Sequence, residues 1–236
     1  MSLSLHLLFL VLGVILPAFL FFNARKSGKG KPIYWSPRLK VRMYYGNGVL
    51  LLGLSVVVLI FWYFNGRPLT DLGLGWGRTP YEPVAILVIF AFLFLYAVDL
   101  FAEIGSRARQ QDTREKFREL GFLPSNGMQY LHFLFLCACA GIGEEIVYRG
   151  FMITYLQEVL EQHSWGIAAT LMIPAVSFGL AHIYQGGHAV AKIVAMALLF
   201  GFFFYRTGSL WPLILLHTAI DAVGGLLSWY LEGQEE

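Results

Sequence analysis

Seven apolar runs dominate this 236-residue chain, and they constrain its fold more than any other feature. A helix needs about 20 mostly apolar residues to cross a bilayer. Because lipid offers no partners for backbone polar groups, long apolar runs favour helices. The sequence therefore predicts an all-α, polytopic integral membrane helix bundle with about seven transmembrane helices and at most eight. The runs cover residues 3–22, 48–64, 83–101, 131–148, 165–183, 189–205 and 210–231.

Composition excludes several classes of protein. The chain is 57% hydrophobic and 14% charged, whereas soluble domains carry about 25% charged residues. A soluble cytoplasmic enzyme, a disordered tail, a disulfide scaffold and a nucleic-acid-binding module are all excluded. Cys137 and Cys139 point in different directions on a helix, so we interpret them as small buried residues. With no internal repeat or long linker, we predict one integral membrane domain over residues 1–236.

Loop charges predict the orientation. Residues 23–45 hold seven basic residues and no acid, and residues 102–127 hold five basic residues, whereas the loop 65–82 holds only Arg67 and Arg78. Basic loops lie in the cytoplasm. We therefore predict an external N-terminus, a cytoplasmic C-terminus, and N-terminal spans and cytoplasmic loops in residues 1–127. We interpret the first span as a retained anchor rather than a signal peptide, and residues 102–120 as a solvated loop helix.

Aromatic side chains cluster near the ends of the spans, as interfacial belts do. These residues are Tyr34, Trp35, Trp62, Tyr63, Trp76, Tyr81, Trp165, Trp229 and Tyr230.

Ionisable residues inside the apolar spans are the strongest functional signal. Each costs a few kcal/mol in the bilayer and needs a partner, a water-filled cavity or a function. Glu145 and Arg149 are four residues apart, so they share a helix face and are expected to pair. Glu144 points about 100° away, which leaves one carboxylate for proton transfer. Three spans carry this group: Glu144, Glu145, Arg149, His182, His217 and Asp221.

The depths of these residues along their helices also match. The turn between the fourth and fifth spans lies near residues 163–164, with Glu144 19 residues before His163 and His182 18 residues after Ser164. Both residues would then lie about 27 Å from that turn, provided that the fourth helix continues through residues 151–160. Asp221 lies about 21 Å along the last helix. We expect these groups to meet between the midplane and the cytoplasmic face.

The residues alone allow two interpretations of this cluster. The first is a structural network, because buried polar residues often hold membrane helices together. The other is a water-filled site with a carboxylate base and two imidazoles. Such a site supplies the base, the oxyanion donors and the proton for the leaving amine that peptide hydrolysis needs. Zinc is an alternative, with His182, His217 and either Glu144 or Asp221 as ligands.

Three motifs resemble the CPBP family, which contains the type II CAAX prenyl endopeptidases and bacteriocin-processing or immunity-associated relatives. They are E-E-x-x-x-R at residues 144–149, F-x-x-x-H at 178–182 and H-x-x-x-D at 217–221. The stretch TDLGLG at residues 70–75 is similar to an upstream loop of the family. The resemblance covers roughly residues 128–231, which we interpret as a catalytic helical core.

The resemblance implies a glutamic-type intramembrane endopeptidase without a metal cofactor. It makes Glu144 the general base and the Glu145–Arg149 pair its structural support. His182, with Phe178 packed beneath it, would position water or stabilise the oxyanion. The resemblance places His217 and Asp221 on the oxyanion side.

One position departs from the pattern of the prenyl endopeptidases, which usually carry Asn where this chain has Asp221. Asn can donate to an oxyanion, whereas ionised Asp would repel it. Either Asp221 is protonated, or it orients His217. The departure weakens the prediction of a CAAX substrate more than the prediction of peptidase activity.

The expected substrate is a membrane-embedded or lipidated protein or peptide. The alternatives are a proton- or ion-coupled transporter, a zinc-dependent membrane peptidase, and a non-catalytic immunity or scaffold protein. We interpret His6, His132, His163 and His188 as residues outside the site.

Overall fold

The computed structural model describes residues 1–27, 35–75, 83–160 and 162–235, and this part of the chain is helical without strands. Two of the eight helices contain π-helical segments. Helix α1 comprises Leu3–Leu10, the π-helix Val11–Ile15 and Leu16–Ser27, and α5 comprises Gly127–Glu144, the π-helix Glu145–Ile153 and Thr154–Leu160. The other helices are α2 (Pro37–Phe64), α3 (Pro83–Ile104), α4 (Arg107–Leu120), α6 (Gly166–Ala181), α7 (Gly187–Thr207) and α8 (Trp211–Glu232).

The helices confirm the predicted fold class. Six of those described are long and apolar enough to cross a membrane, namely α1, α2, α3, α5, α7 and α8. Helix α6 is also apolar but has only 16 residues. The chain is an all-helical, multi-pass integral membrane protein, and the predicted count of about seven agrees with these helices.

Two boundaries differ from the predicted spans. Helix α2 begins at Pro37 rather than near residue 48, because the Ser36 side chain accepts a hydrogen bond from Leu39 N and Pro37 occupies the first turn. The basic residues 38–42 therefore lie on a helix and not in a loop. Helix α5 continues to Leu160. This continuation is what the predicted equal depth of Glu144 and His182 requires. Several predicted features lie outside the described residues: Lys29, Lys31, Tyr34, Trp76, Arg78 and Tyr81.

The two basic segments share one end of the bundle. Lys40 Nζ, on the first turns of α2, donates to Leu123 O just after α4, over 2.7 Å. Arg118 on α4 pairs with Glu232 at the end of α8. Helix α4 carries the charges predicted for a solvated loop helix. It ends at Leu120 and is capped by Gly121, which adopts a left-handed conformation. This arrangement puts both basic segments on the same side of a membrane.

Helix α5 lies at the centre, and small residues let its neighbours approach closely. A Cβ on Gly141 would lie 2.2 Å from Thr218 Oγ1 of α8 and 2.9 Å from Ile214 O. A Cβ on Gly143 would lie 2.7 Å from Leu51 O of α2. Glycine at such contacts allows backbones in membranes to pack together. The segment that carries Glu144 and Glu145 is thereby held between α2 and α8.

The end of the bundle opposite the basic segments is closed by a loop and an apolar cluster. The TDLGLG stretch forms a 3-10 turn, Leu69–Leu72, and Leu210 N donates to Gly73 O over 3.0 Å. Leu72, Phe151, Leu210 and Leu213 are completely buried there. We call these four residues the apolar plug. The apolar plug lies between this end of the bundle and the ionisable residues inside the spans.

Candidate active site

A buried ionic network forms the innermost part of the site. Arg149 Nη1 donates to Glu145 Oε1 over 2.8 Å, and His217 Nδ1 donates to the same oxygen over 2.7 Å. Glu145 is 0% exposed, Arg149 1% and His217 3%. Because a carboxylate beside Arg can only accept hydrogen bonds, Nδ1 of His217 carries its proton. Glu145 thus fixes the orientation of the His217 ring.

Aromatic rings enclose the guanidinium of Arg149. Its Cζ lies 4.8 Å from the centroid of the Phe178 ring and 5.5 Å from that of Phe200. Nη2 of Arg149 and Oε2 of Glu145 are buried and have no hydrogen-bond partner within the described chain. Cation–π contacts of this kind compensate part of the desolvation of a buried cation. The pair therefore relies on Phe178, Phe200 and His217.

The π-helix of α5 carries this network. Glu145 and Arg149 lie inside Glu145–Ile153, where every residue is buried. The i→i+5 hydrogen bonding of a π-helix is rare and is frequently found at functional sites. The segment nevertheless keeps the predicted contact between Glu145 and Arg149.

A second, more accessible layer lies above the network. His217 Nε2 is 3.5 Å from Glu144 Oε2 and 3.7 Å from Asp221 Oδ2. The Glu144 side chain is 13% exposed and that of Asp221 is 35% exposed, compared with 4% for His217. The two carboxylates are therefore the more exposed groups of the site, while the imidazole between them stays buried.

His182 borders the site at the C-terminus of α6. Its Nδ1 donates to Phe178 O over 2.8 Å, and the two rings lie 4.4 Å apart between centroids. Phe178 also makes an edge contact with His217 at 6.2 Å. Because Nδ1 is engaged, Nε2 is the nitrogen of His182 that can hold water or substrate. His182 is partly exposed, unlike His217, and so belongs to the more accessible layer.

The structure thus brings together all seven residues singled out from the sequence. Sequence reasoning missed the bond between Glu145 and His217. Asp221 was one candidate for the group that orients His217, but Glu145 holds Nδ1. The other described histidines have separate surroundings: His6 contacts Tyr155, His132 contacts Tyr45, His163 stacks on Trp165, and His188 is exposed.

The candidate zinc ligands are not arranged around a common point. Among the described residues, no group of three His, Cys, Asp or Glu side chains is placed to hold one metal ion. His217 Nδ1 is bound to Glu145, and Nδ1 of His182 is bound to a backbone carbonyl. These bonds leave Nε2 of each histidine as the nitrogen that can take part in binding or in proton transfer.

Comparisons with known proteins agree with the motifs. Residues 126–223 match the family model described as "Rce1-like: Type II CAAX prenyl endopeptidase Rce1-like". A search of curated proteins and a search of solved structures each gave no match. The matched segment contains all three motifs and every residue of the site. Residues 126–223 are therefore similar to the Rce1-like type II CAAX prenyl endopeptidases, in agreement with the resemblance that the three motifs predicted.

Proposed function

We propose that this protein is a glutamic-type intramembrane endopeptidase in which Glu144 is the general base. One observation carries the proposal. The buried Arg149–Glu145–His217 network holds an imidazole whose Nε2 lies 3.5 Å from the accessible carboxylate of Glu144. A group that only held helices together would not need a partly exposed carboxylate beside a fixed imidazole.

The proposed reaction begins with a water molecule between Glu144 and the substrate carbonyl. Glu144 takes a proton from the water as the water oxygen attacks the carbonyl carbon. The tetrahedral intermediate then collapses, the C–N bond breaks, and Glu144 returns the proton to the leaving nitrogen. The products are a carboxylic acid and an amine, so the carboxylate ends the cycle in its starting form.

The histidines would stabilise the oxyanion of this intermediate as imidazolium cations. With both ring nitrogens protonated, His182 would donate from Nε2, since its Nδ1 already donates to Phe178 O. Preorganised donors of this kind lower the barrier most in a site from which bulk water is excluded. The buried network fixes His217 in advance, so little reorganisation is needed during the reaction.

The proposed substrate is a lipidated protein or peptide that reaches the site from the basic end of the bundle. The family match supports a membrane-associated protein substrate. By the positive-inside rule, this end faces the cytoplasm. The proposed topology therefore has an external N-terminus and a cytoplasmic C-terminus.

His182→Ala is expected to lower peptide cleavage by about 10²-fold or more, the usual effect of removing one oxyanion donor. The assay uses purified protein in vesicles, a prenylated peptide, and mass spectrometry of the products. His132→Ala is the control, because His132 lies outside the site, where its ring is hydrogen-bonded to Tyr45. Ion flux without peptide cleavage by the wild type would favour the transporter instead.

Asp221→Asn is expected to keep most of the activity, within about tenfold of the wild type. Glu145, and not Asp221, holds Nδ1 of His217, so the orientation of the imidazole survives the change. An amide can also donate to the oxyanion. Measuring kcat over a pH series tests this expectation. A loss as large as that of a Glu144 variant would show that the charge of Asp221 is needed.

A further inference from the structure

A cavity at the basic end of the bundle lies between the start of α2 and the start of α5, outside the candidate active site. It has a volume of about 450 Å³, and Arg38 and Arg42 line it from α2. The two arginines are four residues apart and therefore share one face of the helix. Among the described residues that line this cavity, none is acidic. The lining therefore favours an anionic ligand.

The two arginines also lack the partners that other cations of this chain have. Arg118, at the same end of the bundle, pairs with Glu232. Within the part of the chain that the structure describes, Arg38 and Arg42 have no carboxylate partner. Like charges four residues apart on a helix repel each other. An anion bound between the two guanidinium groups would turn this repulsion into two attractive contacts.

The helix ends around the cavity add to its preference for an anion. Helices α2 and α5 both begin there, after the N-caps Ser36 and Asn126. The N-terminal end of a helix favours negative charge. His132 lines the cavity from α5 and is hydrogen-bonded to Tyr45 of α2, with 3.0 Å between Nδ1 and the hydroxyl oxygen. This contact holds the two helices together beside the arginines.

An exposed apolar surface adjoins the cavity on the side of the bilayer centre. Val49 is 63% exposed and lies seven residues after Arg42, about 10 Å further along the same face of α2. Leu131 of α5 is also 63% exposed and directly precedes His132. Between Arg42 and Val49, a Cβ on Gly46 would meet no atom within 4 Å, so this face is open. Cations followed by an apolar surface match an amphipathic anion.

We propose that the cavity between α2 and α5 binds the phosphodiester headgroup of an anionic diacyl phospholipid, whose acyl chains lie along the apolar surface next to it. Arg38 and Arg42 hold the phosphate, because the guanidinium fork matches the geometry of phosphate oxygens. Basic pockets between membrane helices bind anionic headgroups in this way. A soluble anion would use the cations but not Val49 and Leu131, which favours a lipid. The inference is independent of the proposed peptidase function.

The test measures lipid binding to the purified full-length protein by native mass spectrometry. The protein is titrated with phosphatidylglycerol or with phosphatidylcholine that carries the same acyl chains. The wild type is expected to bind phosphatidylglycerol about 30-fold more tightly, since each of two cations contributes about fivefold. Arg38→Met or Arg42→Met alone is expected to reduce this preference about fivefold, and the double variant is expected to abolish it. Equal binding of the two lipids by the wild type would overturn the proposal.

The double variant Arg107→Met with Arg109→Met is the matched control. It removes two positive charges from α4 at the same end of the bundle, and neither residue lines the cavity. It is expected to keep the preference of the wild type for phosphatidylglycerol. An equal loss of preference in both double variants would overturn the proposal, because general attraction by the basic end would then explain the binding. Each preference is a ratio within one variant, so it does not depend on how much of that variant is folded.

A soluble headgroup distinguishes a lipid from a free phosphodiester. Glycerophosphoglycerol, which is phosphatidylglycerol without its acyl chains, is added in competition with the lipid. It is expected to displace the lipid only at concentrations far above the dissociation constant of the lipid, because it makes no contact with the apolar surface. Displacement at equal concentration would overturn the lipid assignment and indicate a site for a soluble anion.

Discussion

Glu144→Gln is expected to lower kcat for peptide cleavage by about 10³-fold or more, because an amide cannot accept the proton of the attacking water. The change keeps the size of the side chain, and the Glu144 side chain is partly accessible rather than packed in the core. We therefore expect normal membrane insertion and normal peptide binding. The measurement is single-turnover cleavage in vesicles, together with thermal unfolding of the purified variant.

Glu158→Gln is the control for this prediction. Glu158 lies on the same helix α5, but it pairs with Arg67 at the opposite end of the bundle. Its replacement is expected to leave kcat within about twofold, because exposed ion pairs contribute little. If Glu144→Gln retained wild-type activity while peptide binding stayed normal, Glu144 would not be the general base.

Arg149→Met is expected to lower the free energy of unfolding by about 3–5 kcal/mol, since it leaves the buried Glu145 carboxylate without its cation. Thermal unfolding in detergent measures this loss. Arg67→Met removes the cation of the partly exposed pair with Glu158 and is expected to cost only about 0–1 kcal/mol. The difference between the two losses of unfolding free energy measures the effect of burying the ion pair.

The double variant Glu145→Gln with Arg149→Met separates stability from catalysis. Removing both charges is expected to recover much of the stability, because no unpaired charge remains buried. Activity should stay low, because a neutral amide holds the His217 imidazole less strongly than a carboxylate does. Recovery of full activity along with stability would mean that the pair only supports the fold.

The apolar runs were sufficient to predict the fold class and the approximate number of spans. The bilayer imposes a length and a composition on each helix, and both are visible in the sequence. The start of α2 was not predicted, because its first turns carry Arg38, Lys40 and Arg42 and look like a loop when only apolar residues are counted. A Ser-Pro pair at residues 36–37 was the signal that could have found it.

The residues of the site were predicted from the sequence, but not all of the contacts between them. The i, i+4 spacing was enough to pair Glu145 with Arg149. The bond from His217 to Glu145 joins residues 72 positions apart, and it depends on how closely α8 approaches α5. That approach depends in turn on Gly141, whose role is clear only when the contact with Thr218 is known. The π-helix has no simple sequence signal of its own.

The apolar plug has a consequence for the membrane in which the protein lies. A water-filled site inside a bilayer could become a leak for protons, and the proposed reaction requires such water. Leu72, Phe151, Leu210 and Leu213 are completely buried between the ionic network and the far end of the bundle. Water that entered the proposed site from the basic end would meet this buried apolar segment before it could cross the bundle. Under the proposed function, the apolar plug would keep hydrolysis inside the bilayer compatible with an intact electrochemical gradient.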